Sequence, residues 1–358
     1  MAIKEGVLAV FPNAEVSLVP IADGGDGTLQ SLIDASDGHY IKSAVPGPLG
    51  SPVLATWGVM GDNKTAVIEM AMASGLGLIP QGQLNPKIAT TSGTGLLIKE
   101  ALDKGYRTII VGLGGSATND GGAGAAKELG VIFRDGSGVD LPPGGWSLST
   151  LASVDISSIH PALAESKIII ATDVTNPLCG PNGASVIYGP QKGASPLIVA
   201  ELDAALANYQ QIIKASLGID LENRPGAGSA GGLGAGLIAF ADAEVRSGIQ
   251  LIGEVLGLEE VLAEATLVIT AEGQIDRSTL YDKAPIGVAR MAKKFGVPVI
   301  AMAAVLGEGH QLVYEHGIDA LVSIGDGPMD NQESIARTYS LLARATERSL
   351  RLIKIDLG

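Results

Sequence analysis

One cysteine, Cys179, serves a chain of 358 residues, so no disulfide can form within it. Only four histidines accompany it, His39, His160, His310 and His316, and their scatter offers no cluster of soft metal ligands at zinc-like spacing. Aromatic residues make up 4% of the chain, so its cores must be built from Val, Ile, Leu and Ala. Positive charge is scarce as well. Twenty-four Lys and Arg stand against 38 Asp and Glu, a formal charge of -14, which excludes coating a phosphate backbone as the main task and leaves no nucleic-acid partner. There is no run of 18 apolar residues and no charged-then-apolar leader. A cytoplasmic protein without a membrane partner is therefore expected. The chain contains no Gly-Lys dipeptide, hence no Walker loop, and no G-x-S-x-G elbow for a serine nucleophile.

Glycine is abundant, with 49 residues, and 46% of the chain is hydrophobic. That composition and length predict an α/β protein of two domains. Apolar runs alternate with helical stretches. The pattern predicts a strand in "AEVSLVPI", a helix over 27–35, a strand in "HYIKSAV", and a hairpin of "VLATWGVM" and "KTAVIEMA" about "GDN". A helix over 94–104 stops at Gly105 and is followed by the strand "RTIIVGL". Residues 130–195 read as mixed β structure, with short strands in "VIFRDG", "KIIIATDV" and "ASVIYGP", before a helix over 196–217. The last hundred residues alternate regularly: "TLVITAEG", helix, "VPVIAMAAV", a helix near 310–316, "DALVSIG", and a long helix from about Gln332. Such alternation implies a doubly wound parallel sheet. One α/β domain is expected from 1–45, 86–130 and 262–358, and an inserted mixed α/β domain from 46–85 and 131–261.

Six glycines crowd "GLGGSATNDGGAG", residues 112–124, directly after an apolar strand. Backbone amides and the start of a helix near Asp120 could there receive a phosphate or carboxylate; a tight turn packed for its own sake is the plainer reading. Gly112, Gly114 and Ala117 also fit the loose dinucleotide pattern G-x-G-x-x-A, and Gly226, Gly228 and Gly231 fit G-x-G-x-x-G, so an NAD-dependent oxidoreductase is an alternative. Asp23 and Asp26 lie among glycines where a strand is expected to end, suited to a hydroxyl-bearing substrate or to capping a turn. Glu69 sits in a β-rich run, either functional or on its solvent side. Asp173 and Asn176 supply hard oxygens that suit Mg²⁺, or ordinary turn chemistry. Lys192, between Gly189 and Gly193, could face phosphate or simply water. The densest polar cluster is Glu272, Asp276, Arg277, Ser278, Thr279, Asp282 and Lys283, whose mix of a carboxylate base, cations and donors matches phosphoryl transfer.

Nine blocks in order, "ADGGDGT", "GPLG", "ASGL", "TSGTG", "GLGGSATNDGGAG", "DVTNPLCGPNGAS", "YGPQKGA", "GAGSAGGLGAG" and "VITAEGQID", give a sequence that resembles the bacterial glycerate kinase family over nearly its whole length. The resemblance implies a flavodoxin-like α/β domain beside the mixed one, an active site in the cleft between them, ATP and Mg²⁺ as cofactors, and phosphorylation of D-glycerate to 2-phosphoglycerate, with 3-phosphoglycerate not excluded. It implies catalytic roles for Asp276 as base, Lys283 on phosphate and Asp173, the last shared with Asn176 at the metal. Asp23, Gly24, Gly25, Glu69, Ser74 and Thr94 would hold the substrate, and Gly114, Gly115, Ser116, Thr118, Asn119, Asp120 and Lys192 the phosphates or nucleotide. Association into a homo-oligomer stays open. Members of this family usually begin with a strand and an Asp-Ser-Phe-Lys loop, whereas this chain opens at "MAIKEGVLAVFPNAE", like the helix that follows them. An inactive metabolite-binding homologue is the corresponding alternative.

Overall fold

A computed structural model describes residues 1–355 except Ala22, Asp23, Asp26, Gln81, Tyr281 and Asp282, and apart from the side chains of Ser278 and Asn331. It divides into two units, residues 1–21 with 256–358, and residues 22–255. The first unit opens with helix α1 (Ala2–Val10).

The central unit follows with α2 (Thr28–Ala35), β1 (His39–Pro46), β2 (Pro52–Val59), β3 (Thr65–Glu69), α3 (Ala71–Ser74), α4 (Ser92–Asp103) and β4 (Thr108–Gly112). It continues through α5 (Ala123–Glu128), β5 (Ile132–Asp135), β6 (Leu151–Asp155), β7 (Lys167–Ala171), α6 (Ala184–Tyr188), α7 (Pro196–Leu217), α8 (Ser229–Ala241), β8 (Glu244–Arg246) and α9 (Gly248–Val255). Six strands form one sheet in the order β1-β2-β3-β4-β7-β8. The β1-β2-β3 part is antiparallel, as the "GDN" hairpin requires, and β3, β4, β7 and β8 run parallel. Ile68, Ile109, Val111, Ile168 and Ile170 are buried in a core that also takes Leu97, Ile98 and Ala101 of α4 and Leu233 and Leu237 of α8. These strands are apolar almost throughout, the signature of a parallel sheet hidden on both faces. Trp57 is fully buried, and its indole N–H donates to Ser43 Oγ at 3.0 Å, which satisfies its one polar atom.

The chain then returns to the first unit with α10 (Leu258–Glu264), β9 (Val268–Ile275), α11 (Ala284–Lys294), β10 (Val299–Leu306), β11 (Ala320–Ser323) and α12 (Asn331–Ile353). Its three strands are parallel, in the order β11-β10-β9. Alternation along β10 explains the two covering layers. Val299, Ala301 and Ala303 face Ile286 and Ala289 of α11, whereas Ile300 and Met302 face Leu341 and Ala345 of α12. Helix α1 packs on α12 so closely that a Cβ on Gly6 would strike the Ala343 carbonyl and Thr346.

Three sequence expectations are corrected. "AEVSLVPI" joins no ladder among the described residues: Val19 and Ile21 pack without regular secondary structure against the core of the first unit, and a strand exists only through a paired neighbour. "ASVIYGP" is not a strand but α6, packed on α7 and α8, where tertiary burial overrides β-branched propensity. The stretch 86–130 does not join the C-terminal strands, because β4 is hydrogen-bonded between β3 and β7, and the unit boundaries fall at 21/22 and 255/256 instead.

Candidate active site

Register brings Glu69, Gly112 and Ala171 side by side at the carboxyl ends of β3, β4 and β7. Ligands of open parallel sheets collect at such an edge, because the loops and helix starts of the fold converge there. The Gly24–Gly25 backbone lies across it: the Gly114 N–H donates to the Gly24 carbonyl at 3.0 Å, and a Cβ on Gly24 or Gly114 would strike the Ala171 carbonyl or the Gly25 Cα, respectively. Asp23 and Asp26 lie outside the described residues. Glu69, which the sequence left free to face solvent, is buried, and its Oε1 accepts the Leu29 N–H at 2.6 Å. Leu29 is the second residue of α2, so the carboxylate is held on the positive end of a helix. Beside Leu29, the buried Thr28 hydroxyl has no hydrogen-bond partner among the described residues, a feature that nothing in the sequence pattern announces. Ser74 and Thr94 do meet: the Thr94 hydroxyl donates to Ser74 Oγ at 3.0 Å, and both are fully buried.

Within the glycine stretch Gly115 is exposed and Gly114 half-buried, whereas residues 116–122 are packed inside. Their partner is the second glycine-rich run. The Gly121 N–H donates to the Gly231 carbonyl at 3.0 Å, a Cβ on Gly232 would come within 2.7 Å of the Gly121 Cα, and one on Gly236 within 2.9 Å of the Gly122 Cα. Residues 118–122 and 231–236 thus cross backbone against backbone, which only glycine allows. Neither run is a dinucleotide turn. Asp120, expected at a phosphate, is fully buried and accepts from Thr91 N (2.8 Å), Thr91 Oγ1 (2.9 Å), Gly122 N (3.1 Å) and Gly124 N (3.3 Å). Burial pushes its pKa up, and these donors act against that push. Thr91, in the same "TSGTG" block as Thr94, is the partner that sequence reasoning missed. Asn119 is fully buried with its Nδ2 on Ser185 Oγ at 2.9 Å, and the Thr118 hydroxyl donates to the Ala230 carbonyl at 3.4 Å. Lys192 is inside too, its amine on Ser116 Oγ (2.7 Å) and the Thr118 carbonyl (2.6 Å). Asn119, Asp120 and Lys192 brace the turn instead of lining an open anion cradle; Gly115, at φ +71°, turns the backbone before Ser116.

Asp173 follows β7 and accepts the Ser247 hydroxyl (2.6 Å) and the Gly248 N–H (3.0 Å) on Oδ1, capping α9. Both ends of the Asn176 amide are engaged within its own loop, Nδ2 on the Asn182 carbonyl and Oδ1 receiving the Tyr188 hydroxyl, each at 2.9 Å. Asp173 Oδ1 and both ends of the Asn176 amide are thus already engaged, and among the described residues no group of three or more His, Cys, Asp or Glu could hold a metal ion. In the other unit, Asp276 immediately follows β9, and its Oδ2 accepts Gln274 Nε2 at 2.6 Å. The Thr279 hydroxyl accepts the Asp276 N–H at 3.1 Å, and the neighbouring Ile275 carbonyl accepts the Gly307 N–H at 2.8 Å, so the carboxylate stands at the carboxyl edge of this sheet as well. Lys283 occupies the N-cap position of α11 without a side-chain capping hydrogen bond. Gln274 is a side-chain partner of Asp276 that the sequence did not single out.

A family model described as the glycerate kinase family matches residues 1–354. Over 356 residues the chain is 47% identical to the glycerate 2-kinase of Escherichia coli K12, covering 99% of this chain and 93% of that protein. It is 49% identical to a glycerate kinase of Halalkalibacterium halodurans, over 96% of this chain and 90% of the other. A crystal structure described as glycerate kinase 2 from Salmonella typhimurium LT2 superposes with a TM-score of 0.82 at 43% identity, over 99% of this chain and 92% of that one.

Proposed function

Because the chain belongs to the glycerate kinase family, we propose that it transfers the terminal phosphoryl group of ATP, accompanied by Mg²⁺, to D-glycerate and yields 2-phosphoglycerate. The observation that carries the substrate half is Glu69, a buried carboxylate anchored by α2 at the edge where β3, β4 and β7 end. A fixed carboxylate receives hydroxyl protons and repels a second carboxylate, so D-glycerate presents its hydroxyls to Glu69. Gly24 and Gly25 lie at the same edge, and Ser74 and Thr94, buried against each other, fix the backbone behind it. Asp276, aligned by Gln274, takes the proton of the attacking hydroxyl, and Lys283 draws the charge of the transferred phosphate. Little covalent work is left to the protein; positioning and electrostatics do the rest. The setting is the cytoplasm. Among the described residues no helix is long and apolar enough to cross a membrane.

ADP release coupled to a reporter, with and without D-glycerate, tests this reading, and ³¹P NMR of the product separates the 2-phosphate from the 3-phosphate. Glycerate-dependent turnover to the 2-phosphate is expected. Purified folded protein that releases no ADP on addition of D-glycerate refutes the activity, and a 3-phosphate refutes the regiochemistry.

A further inference from the structure

Lys192 is sealed inside the protein, 1% exposed, and the chemistry above makes no use of it. A buried ammonium is costly unless its donors are met, so its neighbours explain its presence. They are two points on one turn, Ser116 Oγ at 2.7 Å and the Thr118 carbonyl at 2.6 Å. The residue between them, Ala117, donates its N–H to the Ser74 carbonyl at 3.0 Å. On the other side, the Leu76 N–H donates to the Gly115 carbonyl at 2.9 Å, and Ser116 bridges Gly75. The lysine therefore stands behind a turn stitched to Ser74, whose hydroxyl receives that of Thr94. An apolar chain of similar length would fill the same volume, yet leave Ser116 Oγ and the Thr118 carbonyl without the amine.

We propose that Lys192 is a positioning residue for the transfer: through Ser116 and Thr118 it holds the 115–118 turn, and with it Ser74 and Thr94, in the arrangement that receives D-glycerate. The inference rests on the glycerate reading above. Burial pushes the amine down to about 7, against the Asp120 carboxylate, which acts to raise it. Its proton is consequently exchangeable near neutrality and gives a direct spectroscopic handle.

The test pairs steady-state kinetics of Lys192→Met and wild type with an NMR titration of wild-type protein carrying ¹³C at the lysine ε position, with and without saturating D-glycerate. Folded Lys192→Met is expected to lose tenfold or more in kcat/KM, mostly as a rise in KM for D-glycerate with KM for ATP near wild type. D-glycerate, an anion bound close to the braced turn, is expected to move the Lys192 titration upward. Unchanged KM for D-glycerate in the folded variant overturns the proposal. Should Lys192→Met fail to fold, the wild-type titration decides: a displaced midpoint supports the role, and an unmoved one overturns it. If wild type itself shows no glycerate-dependent ADP release, the functional reading falls and this inference falls with it.

Discussion

Asp120→Ala removes the acceptor of four donated hydrogen bonds. The Thr91 hydroxyl can rotate, and it already accepts the Ala125 N–H at 2.9 Å. The amides of Thr91, Gly122 and Gly124 cannot leave, and an orphaned buried donor costs about 1–3 kcal/mol, or roughly 3–9 kcal/mol for the three. Two effects offset part of this: the variant no longer hides a carboxyl group that burial disfavours in its charged form, and water can enter the vacated space. The net expectation is about 3–5 kcal/mol, the range for breaking a buried polar network. At about 2–4 °C per kcal/mol for a unit of this size, Tm falls by roughly 6–20 °C. Urea and thermal unfolding followed by tryptophan fluorescence measure it, since fully buried Trp57 and half-exposed Trp146 both belong to residues 22–255. Asp120→Asn keeps one acceptor oxygen but turns an NH₂ toward donors, so it should fall between the two. A loss below about 1 kcal/mol for Asp120→Ala would refute the bracing role and return the loop amides to the pool available for an external anion.

Gly231→Ala places a Cβ on the Thr118 carbonyl at a backbone φ of +67°; a loss of about 3 kcal/mol is expected in urea unfolding, and a wild-type midpoint would contradict the backbone crossing. Asp276→Asn should lower kcat roughly a hundredfold while Tm stays near wild type, as an ADP-release assay beside calorimetry would show; a near-normal rate removes the base from that position. Stability should depend on pH through Lys192. Its folded pKa, about 7, lies below the ordinary 10.5, so below pH 7 both states are protonated and the full penalty applies. Between 7 and 10.5 the unfolded chain binds more protons, and stability rises with pH. Urea midpoints from pH 7 to 10 should show that rise in wild type and lose it in Lys192→Met; equal slopes would contradict a depressed amine.

How much was legible in advance follows from the range of each interaction. Periodicity and turn chemistry are local, so the hairpin of β2 and β3, helices α4, α7, α11 and α12, and the parallel strands β9, β10 and β11 could be read from residues a few places apart. The strand-end placement of Asp276 followed from the same reasoning, and the ordered blocks carried the family. The residues 15–21 misled because a strand needs a neighbour that no local pattern supplies, and α6 because its burial comes from α7 and α8.

The site divides along the same line. Composition and spacing alone determined an acidic α/β protein with its polar residues after apolar strands, because alternation and glycine placement are written in the chain itself. Only the tertiary structure decided what the glycines are for and which charges are inside. Residues 118–122 and 231–236 meet across more than a hundred positions, and the same distant packing closes over Asp120. Lys192 is sealed by contacts with Ser116 and Thr118 that lie more than seventy positions away in the chain. Burial depends on which distant backbones exclude water from a side chain, and that exclusion exists only once they have packed.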